Sequence, residues 1–164
     1  MTTLIPITPA LVSDYKAVRL RALHDTPLAF GSTYARESEM TDEEWQARGE
    51  RLTNGRDIGF LALFDGKYSG LALCFTDEED AHKGQLISMW VAPEARRKSV
   101  GRQLIDAITA WASEHEISKL NLMVTSVNDA AIRFYEQLGF TKTGRTEPYP
   151  NDPALIEYEM SRTI

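Results

Sequence analysis

Leu4 to Ile7 is a short apolar run and a candidate first strand. Thr8-Pro9 then reads as an N-cap and first helical position. Leu11, Tyr15, Val18, Leu20 and Leu23 follow at roughly helical spacing. The stretch Thr26 to Met40 is mixed and predicts irregular or short-helical chain. Thr41 and Glu44 have the spacing of a capping box, opening a helix that carries Trp45 and Leu52. The period then changes. Ile58 to Phe64 is an apolar run, Asp65-Gly66 is a hairpin turn signal, and Tyr68 to Phe75 is the returning strand. Asp77 to Asp80 predicts a loop, and Gln85 to Val91 a further strand that Pro93 stops. Val100, Leu104, Ile108 and Trp111 fall on one helical stripe. Lys119 to Val124 predicts a strand. Asn128 can cap a helix whose stripe is Ala131, Phe134, Tyr135 and Leu138, with Gly139 as its stop. Phe140 to Thr143 and Leu155 to Met160 read as closing strands. The pattern predicts a mixed sheet with an antiparallel front half and helices on its faces.

Composition narrows the class. The 164 residues, with no linker-like tract or internal repeat, are read as one domain, 1–164. Apolar residues make up 43% and charged residues 26%, which argues against global disorder. The net charge of −6 makes sequence-independent binding to nucleic acid or an anionic membrane improbable. Cys74, the lone cysteine, lies in an apolar run and reads as a core thiol; it excludes an intramolecular disulfide. His24, His82 and His115 are scattered, without the pairing of a metal site. No basic start followed by an apolar stretch opens the chain, and no window reaches the ~20 apolar residues of a membrane span, so a cytoplasmic protein is expected.

Charge is unevenly spread. Arg96, Arg97, Lys98 and Arg102 crowd a predicted strand-to-helix junction. The other fourteen basic residues stand against twenty-four acidic ones. Cations at a helix N-terminus are disfavoured by ~0.3–1 kcal/mol each. Free N–H groups, the helix dipole and these cations together suit a phosphate or pyrophosphate. The glycine-Lys-Ser/Thr order of a P-loop and the three glycines of a dinucleotide fingerprint are both absent. Downstream, Asn128 to Tyr135 spans about two helical turns, so both residues can border one groove.

These two stretches, Arg96-Arg97-Lys98-Ser99-Val100-Gly101 and Asn128 to Phe140, resemble in order and content the GCN5-related N-acetyltransferase (GNAT) family. The first is similar to its acyl-CoA pyrophosphate loop, Arg/Gln-x-x-Gly-x-Gly/Ala. The second is similar to its closing motif of Asn, Ala, Tyr and Gly-Phe, and Leu86 to Val91 to the strand before the loop. The resemblance covers about residues 85–143 and, by strand order, most of the chain. It implies an α/β (α+β) fold: a mixed, mostly antiparallel sheet of six to seven strands flanked by helices. The family usually has Gly at the position of Ser99 and often at that of Arg97. A serine at positive φ would be strained, so ordinary helical or bridge geometry is expected at Ser99. Gly101 is expected to keep side-chain bulk away from the pyrophosphate.

The resemblance implies direct transfer of an acetyl group from acetyl-CoA, as cosubstrate and without a metal, to an amine. Backbone of Met89, Trp90 and Val91 would hold the pantetheine arm, and a backbone N–H there would polarise the thioester carbonyl. Arg96, Arg97, Lys98, Ser99, Val100, Gly101 and Arg102 would hold the pyrophosphate, with Asn128 and Ala131 against the cofactor arm. Tyr135 would protonate the departing thiolate, since phenols are largely protonated near neutral pH. Family members often carry an acidic base on the strand before the loop; here Ile87 takes that position. Glu37, Glu39, Asp77 and Glu157 are the substitutes considered. The acceptor side would be built by about Thr26 to Glu39, with Phe30, Tyr34 and Glu37 as substrate-binding candidates. Acidic clusters at Asp42–Glu44 and Asp77–Asp80 slightly favour a cationic acceptor. A small-molecule amine is the leading partner. A protein N-terminus or lysine, and a non-catalytic acyl-CoA-binding regulatory module, are the alternatives. Late strands in such folds often pair across chains, so a homodimer fits the resemblance.

Overall fold

A computed structural model describes residues 1–164. Its centre is a seven-stranded sheet: β1 (Thr2–Pro6), β2 (Asp57–Phe64), β3 (Lys67–Thr76), β4 (Lys83–Val91), β5 (Lys119–Thr125), β6 (Thr141–Tyr149) and β7 (Asp152–Thr163). The spatial order is β1-β2-β3-β4-β5-β7-β6. Every neighbouring pair is antiparallel except β4 with β5. Period-two alternation along β2 and β3 explains why both faces are covered. Leu61, Leu71 and Leu73 enter one core, while Ala62, Ala72 and Cys74 enter the other. Burial pushes the Cys74 thiol up to about 12, as befits an inert core sulfur.

Helices α1 (Val12–Asp25), α2 (Tyr34–Ser38) and α3 (Asp42–Arg51) lie on the first face. The α3 start carries the full capping box between Thr41 and Glu44. Helix α4 (Val100–Glu114) crosses the other face through Val100, Leu104, Ile105, Ile108 and Ala112, each no more than 1% exposed. Helix α5 (Asp129–Gln137) packs on the same side through Ile132 and Tyr135. Its N-cap is Asn128, whose side-chain oxygen accepts from the Ala131 N–H at 3.2 Å. The Asp65-Gly66 turn has positive φ at both residues, as a two-residue hairpin of matching twist requires. The closing strands are longer than the sequence pattern predicts. β6 is exposed along most of its length, so it shows no alternation to read.

Two irregularities shape the site. The β4–β5 pairing is confined to Lys83–Lys119, Gly84–Leu120 and Gln85–Asn121, after which the strands part. In β4, Ser88 and Met89 together oppose Ala72, a bulge with Ser88 at φ 57°.

Candidate active site

Where β4 and β5 separate, the sheet opens into a cavity of about 80 Å³. Leu86 to Met89 form one wall and Leu122 to Thr125 the other. Asn128, Ala131 and Tyr135 close it from α5. The Tyr135 ring packs edge-on against Phe134 and Phe140. Burial raises its pKa, so the phenol stays protonated. Its hydroxyl takes no partner within the protein and is not sealed off from the cavity. Of the predicted cofactor residues, Met89, Asn128 and Ala131 therefore share one cavity with Tyr135.

Trp90 and Val91 continue β4 but aim their bulk elsewhere. Trp90 is buried in the first core and donates from its indole N–H to Asp25 at 3.0 Å. Only the backbone of these two residues is placed to serve an occupant. The Val91 carbonyl already accepts from Arg96 Nε at 2.9 Å, and the same guanidinium reaches Asp25 at 2.7 Å. Arg96 thus ties the loop to the end of α1 rather than pointing a free cation outward. Arg97, Lys98 and Arg102 are exposed and carry no ion pair.

Ser99 corrects the expectation from sequence. It sits at φ 65°, left-handed, and Arg97 at φ 61°. Both adopt the conformation that glycine supplies at no steric cost. The loop geometry is kept while the residues that relax it are not. Alternating left-handed residues turn successive N–H groups into a concave cluster suited to an anion. Ser99 makes no side-chain cap, and the first internal bond of α4 runs from Gln103 N–H to Ser99 O. Gly101 meets a packing constraint of its own. A Cβ there would meet Phe134 Cζ at 3.0 Å and Met89 Cε at 3.2 Å, so its smallness serves the contact between α4 and α5.

A second cavity of about 320 Å³ lies on the α1 face beside the first, sharing Ala29, Leu86, Ile87, Ser88, Met123 and Thr125 with it. The chain from Pro27 to Ser32 roofs it. Thr125 Oγ1 donates to Leu28 O at 2.6 Å. The Tyr149 hydroxyl donates to Phe30 O at 2.6 Å, and Asn151 Nδ2 donates to Phe30 O and Ser32 O, each at 3.0 Å. The β6–β7 hairpin tip therefore clasps the roof.

The acceptor-side candidates separate. Phe30 is 5% exposed and lines this cavity, with the Arg19 guanidinium 4.8 Å over its ring. Tyr34 is 45% exposed and meets His24 edge-on at the surface, outside the cavity. Glu37 is 1% exposed and spent on two arginines: Arg19 in a bidentate pair at 3.0 and 2.9 Å, and Arg48 at 2.8 Å. Burial alone would raise its pKa, but the hydrogen bonds and charge of Arg19, with Arg48, hold it at about 2. Such a carboxylate is unfit to take a proton near neutral pH. Glu39 is exposed, Asp42–Glu44 form the first turn of α3, and Asp77 lies in a neighbouring acidic groove. Glu157 alone among the four carboxylates lines the roofed cavity, and burial with the nearby Glu147 raises its pKa.

Several site residues went unread in the sequence. Arg19 is 7% exposed, and its NH1 donates to the Ser88 hydroxyl at 3.2 Å, holding the bulge. Its signal was an arginine on the stripe Tyr15, Arg19, Ala22, Leu23, the buried side of α1. Tyr149 and Asn151 carry no such sign, because their role depends on where a distant hairpin lands.

Comparison with known proteins agrees with this geometry. A profile of the Acetyltransferase (GNAT) family matches residues 20–140, and the chain belongs to that family. An IAA acetyltransferase from Azospirillum brasilense is 34% identical over 105 residues, covering 63% of this chain and 67% of its own. An N-acetylaspartate synthetase from Mus musculus is 32% identical over 90 residues, covering 55% of this chain. The chain spans 30% of that relative's length. A GNAT-family acetyltransferase from Streptococcus pneumoniae superposes with a TM-score of 0.81 at 20% identity, covering 100% of this chain and 99% of its own. An acetyltransferase from Salmonella typhimurium, solved with acetyl-CoA, gives a TM-score of 0.79 at 18% identity, covering 99% and 94%. At such identity these structures speak to the fold.

Proposed function

We propose that residues 1–164 form one N-acetyltransferase domain that moves the acetyl group of acetyl-CoA to a primary amine of a small molecule. The observation that carries this reading is the parting of β4 and β5 around the unpartnered Tyr135 hydroxyl. Past Gln85, β4 lacks a strand partner on the β5 side, and a linear amide-bearing arm fits such a vacancy. The left-handed loop with its unpaired Arg97, Lys98 and Arg102 fits a pyrophosphate.

Acetyl-CoA, when bound, supplies the acetyl group as a thioester open to attack by a neutral amine. Backbone of Met89, Trp90 and Val91 orients the arm, with Asn128 and Ala131 across the cleft. Residues Arg96 to Arg102 hold the phosphates through backbone N–H groups and through Arg97, Lys98 and Arg102; Arg96 braces the loop. Tyr135 gives its hydroxyl proton to the departing sulfur. Burial keeps the hydroxyl in its protonated form until the sulfur departs. Glu157, raised above the usual carboxylate range, takes the proton of the acceptor ammonium directly or through water.

A small acceptor is favoured over a protein by the size of the acceptor cavity, about 320 Å³, and by the segment from Pro27 to Ser32, clasped by Tyr149 and Asn151, that overhangs it. The test is Tyr135→Phe. Turnover, read as thiol release from acetyl-CoA, is expected to fall about 10²-fold while calorimetric acetyl-CoA affinity stays within about twofold. Unchanged turnover means that solvent supplies the proton.

A further inference from the structure

Beside the roofed cavity, on the same face of the sheet, lies a third cavity of about 210 Å³. The two meet at Arg19, Ile87 and Ser88. Three guanidinium groups, those of Arg19, Arg48 and Arg51, face it, and no carboxylate does. Two carboxylates stand behind them: Glu37 on Arg19 and Arg48, and Asp57 on Arg51 at 2.8 Å. Three cations against two anions leave one positive charge without a partner. The spare donors are placed to use it. Arg51 spends only Nε on Asp57, and Phe75 supports it with its ring centroid 3.8 Å away. Its two terminal nitrogens have no partner in the protein. Arg48 gives one terminal nitrogen to Glu37 and sits against the Tyr15 hydroxyl at the cavity wall.

A rigid guanidinium fork with both terminal nitrogens free matches a carboxylate in bidentate fashion. The ionic groups behind it fix its orientation, so little rotamer freedom is lost on binding. The adjoining cavity presents Glu157 near the β4–β5 opening, a partner for an ammonium. Across the two cavities three guanidinium groups stand against the single carboxylate of Glu157.

We propose that the acceptor is an aminocarboxylate, held by its carboxylate at Arg51 and Arg48 with its amine directed past Ser88 toward the β4–β5 opening. This rests on the acetyl-transfer reading and gives it a substrate class. Free amino acids and short peptides, which carry a free amine at one end and a carboxylate at the other, share these two groups. The modest volumes of the two cavities, about 320 and 210 Å³, favour the free amino acid.

The experiment measures thiol release from acetyl-CoA with the proteinogenic amino acids, their carboxamides, their decarboxylated amines, matching dipeptides, spermidine and a lysine peptide. Amino acids should be used, and their carboxamides and decarboxylated amines should lose about 10- to 100-fold in kcat/KM, the share of charge-assisted hydrogen bonds. Equal use of the carboxamides overturns the proposal. So does activity confined to spermidine or the lysine peptide, which leaves acetyl transfer itself standing. Failure to bind acetyl-CoA by calorimetry overturns both readings. Dipeptides outrunning amino acids would uphold the carboxylate contact and move the source to a peptide end. In the protein, Arg51→Gln should raise KM for the best amino acid about 10- to 100-fold and leave KM for its carboxamide unchanged, with kcat within about twofold. Arg51→Lys should restore part of the loss. A variant that raises both KM values equally assigns Arg51 a structural role and overturns the contact.

Discussion

Replacing Glu37 with Gln removes one charge from the most enclosed ionic group of the site and leaves its shape. Arg19, 7% exposed, then keeps a positive charge with no counterion. Breaking a buried pair from one side costs about 3–5 kcal/mol. Linkage gives a second route to the size. The carboxyl moves from 4.5 to about 2 on folding, and 2.5 units at 1.36 kcal/mol each is about 3 kcal/mol. The two routes agree, and for a chain of this length about 3 kcal/mol lowers Tm by about 6–12 °C. The sign in pH follows. A carboxylate held down in the folded state stabilises fully above its unfolded value of 4.5 and loses that contribution as pH falls toward about 2. Urea unfolding of wild type and Glu37→Gln between pH 7 and pH 2.5 should show a gap of about 3 kcal/mol that narrows steadily below pH 5. Parallel curves across that range, or a gap under about 1 kcal/mol at pH 7, would refute the account of Glu37 as the anchor of Arg19 and Arg48.

Two further outcomes probe the loop and the base. Ser99→Gly removes the left-handed strain at φ 65° and should stabilise by about 0.5–1 kcal/mol in urea unfolding; a destabilised variant would show that the serine side chain contributes a contact. Glu157 is raised by burial and by Glu147, which itself pairs with Arg145. The acid limb of kcat/KM should therefore lie above the usual carboxylate range, move to lower pH in Glu147→Gln, and vanish with most activity in Glu157→Gln; a limb indifferent to both changes removes Glu157 from the proton path.

Most elements were legible because their periods were clean. Leu71 to Cys74 alternate between two cores, and Val100, Leu104 and Ile108 hold one stripe. Asn128 and Tyr135 were legible as neighbours because seven residues of helix put them on one side. Ser99 and Arg97 were misleading for the opposite reason. Left-handed backbone is ordinarily announced by glycine, and here side chains occupy it. Glu37 read as a candidate base and substrate contact because nothing nearby in sequence reveals that Arg19, 18 residues earlier, and Arg48 converge on it. The bulge at Ser88 and the parting of β4 from β5 are properties of register, and register is a relation between distant strands. The two cavities on the α1 face depend wholly on such relations, which is why the pairing of Asn128 with Tyr135 was readable and the convergence of Arg19, Tyr149 and Asn151 was not.

The sheet lacks its rungs between β4 and β5 beyond Gln85 and Asn121. On the acetyl-transfer reading, the cosubstrate arm supplies them. It then acts as a transient eighth strand, part of the architecture it visits. Occupancy at a hundred times Kd adds about 2.7 kcal/mol to stability, comparable to the anchor at Glu37. The loaded chain therefore withstands heat and proteases better than the bare one. Supply of acetyl-CoA sets not only how fast the protein turns over substrate but how long it lasts.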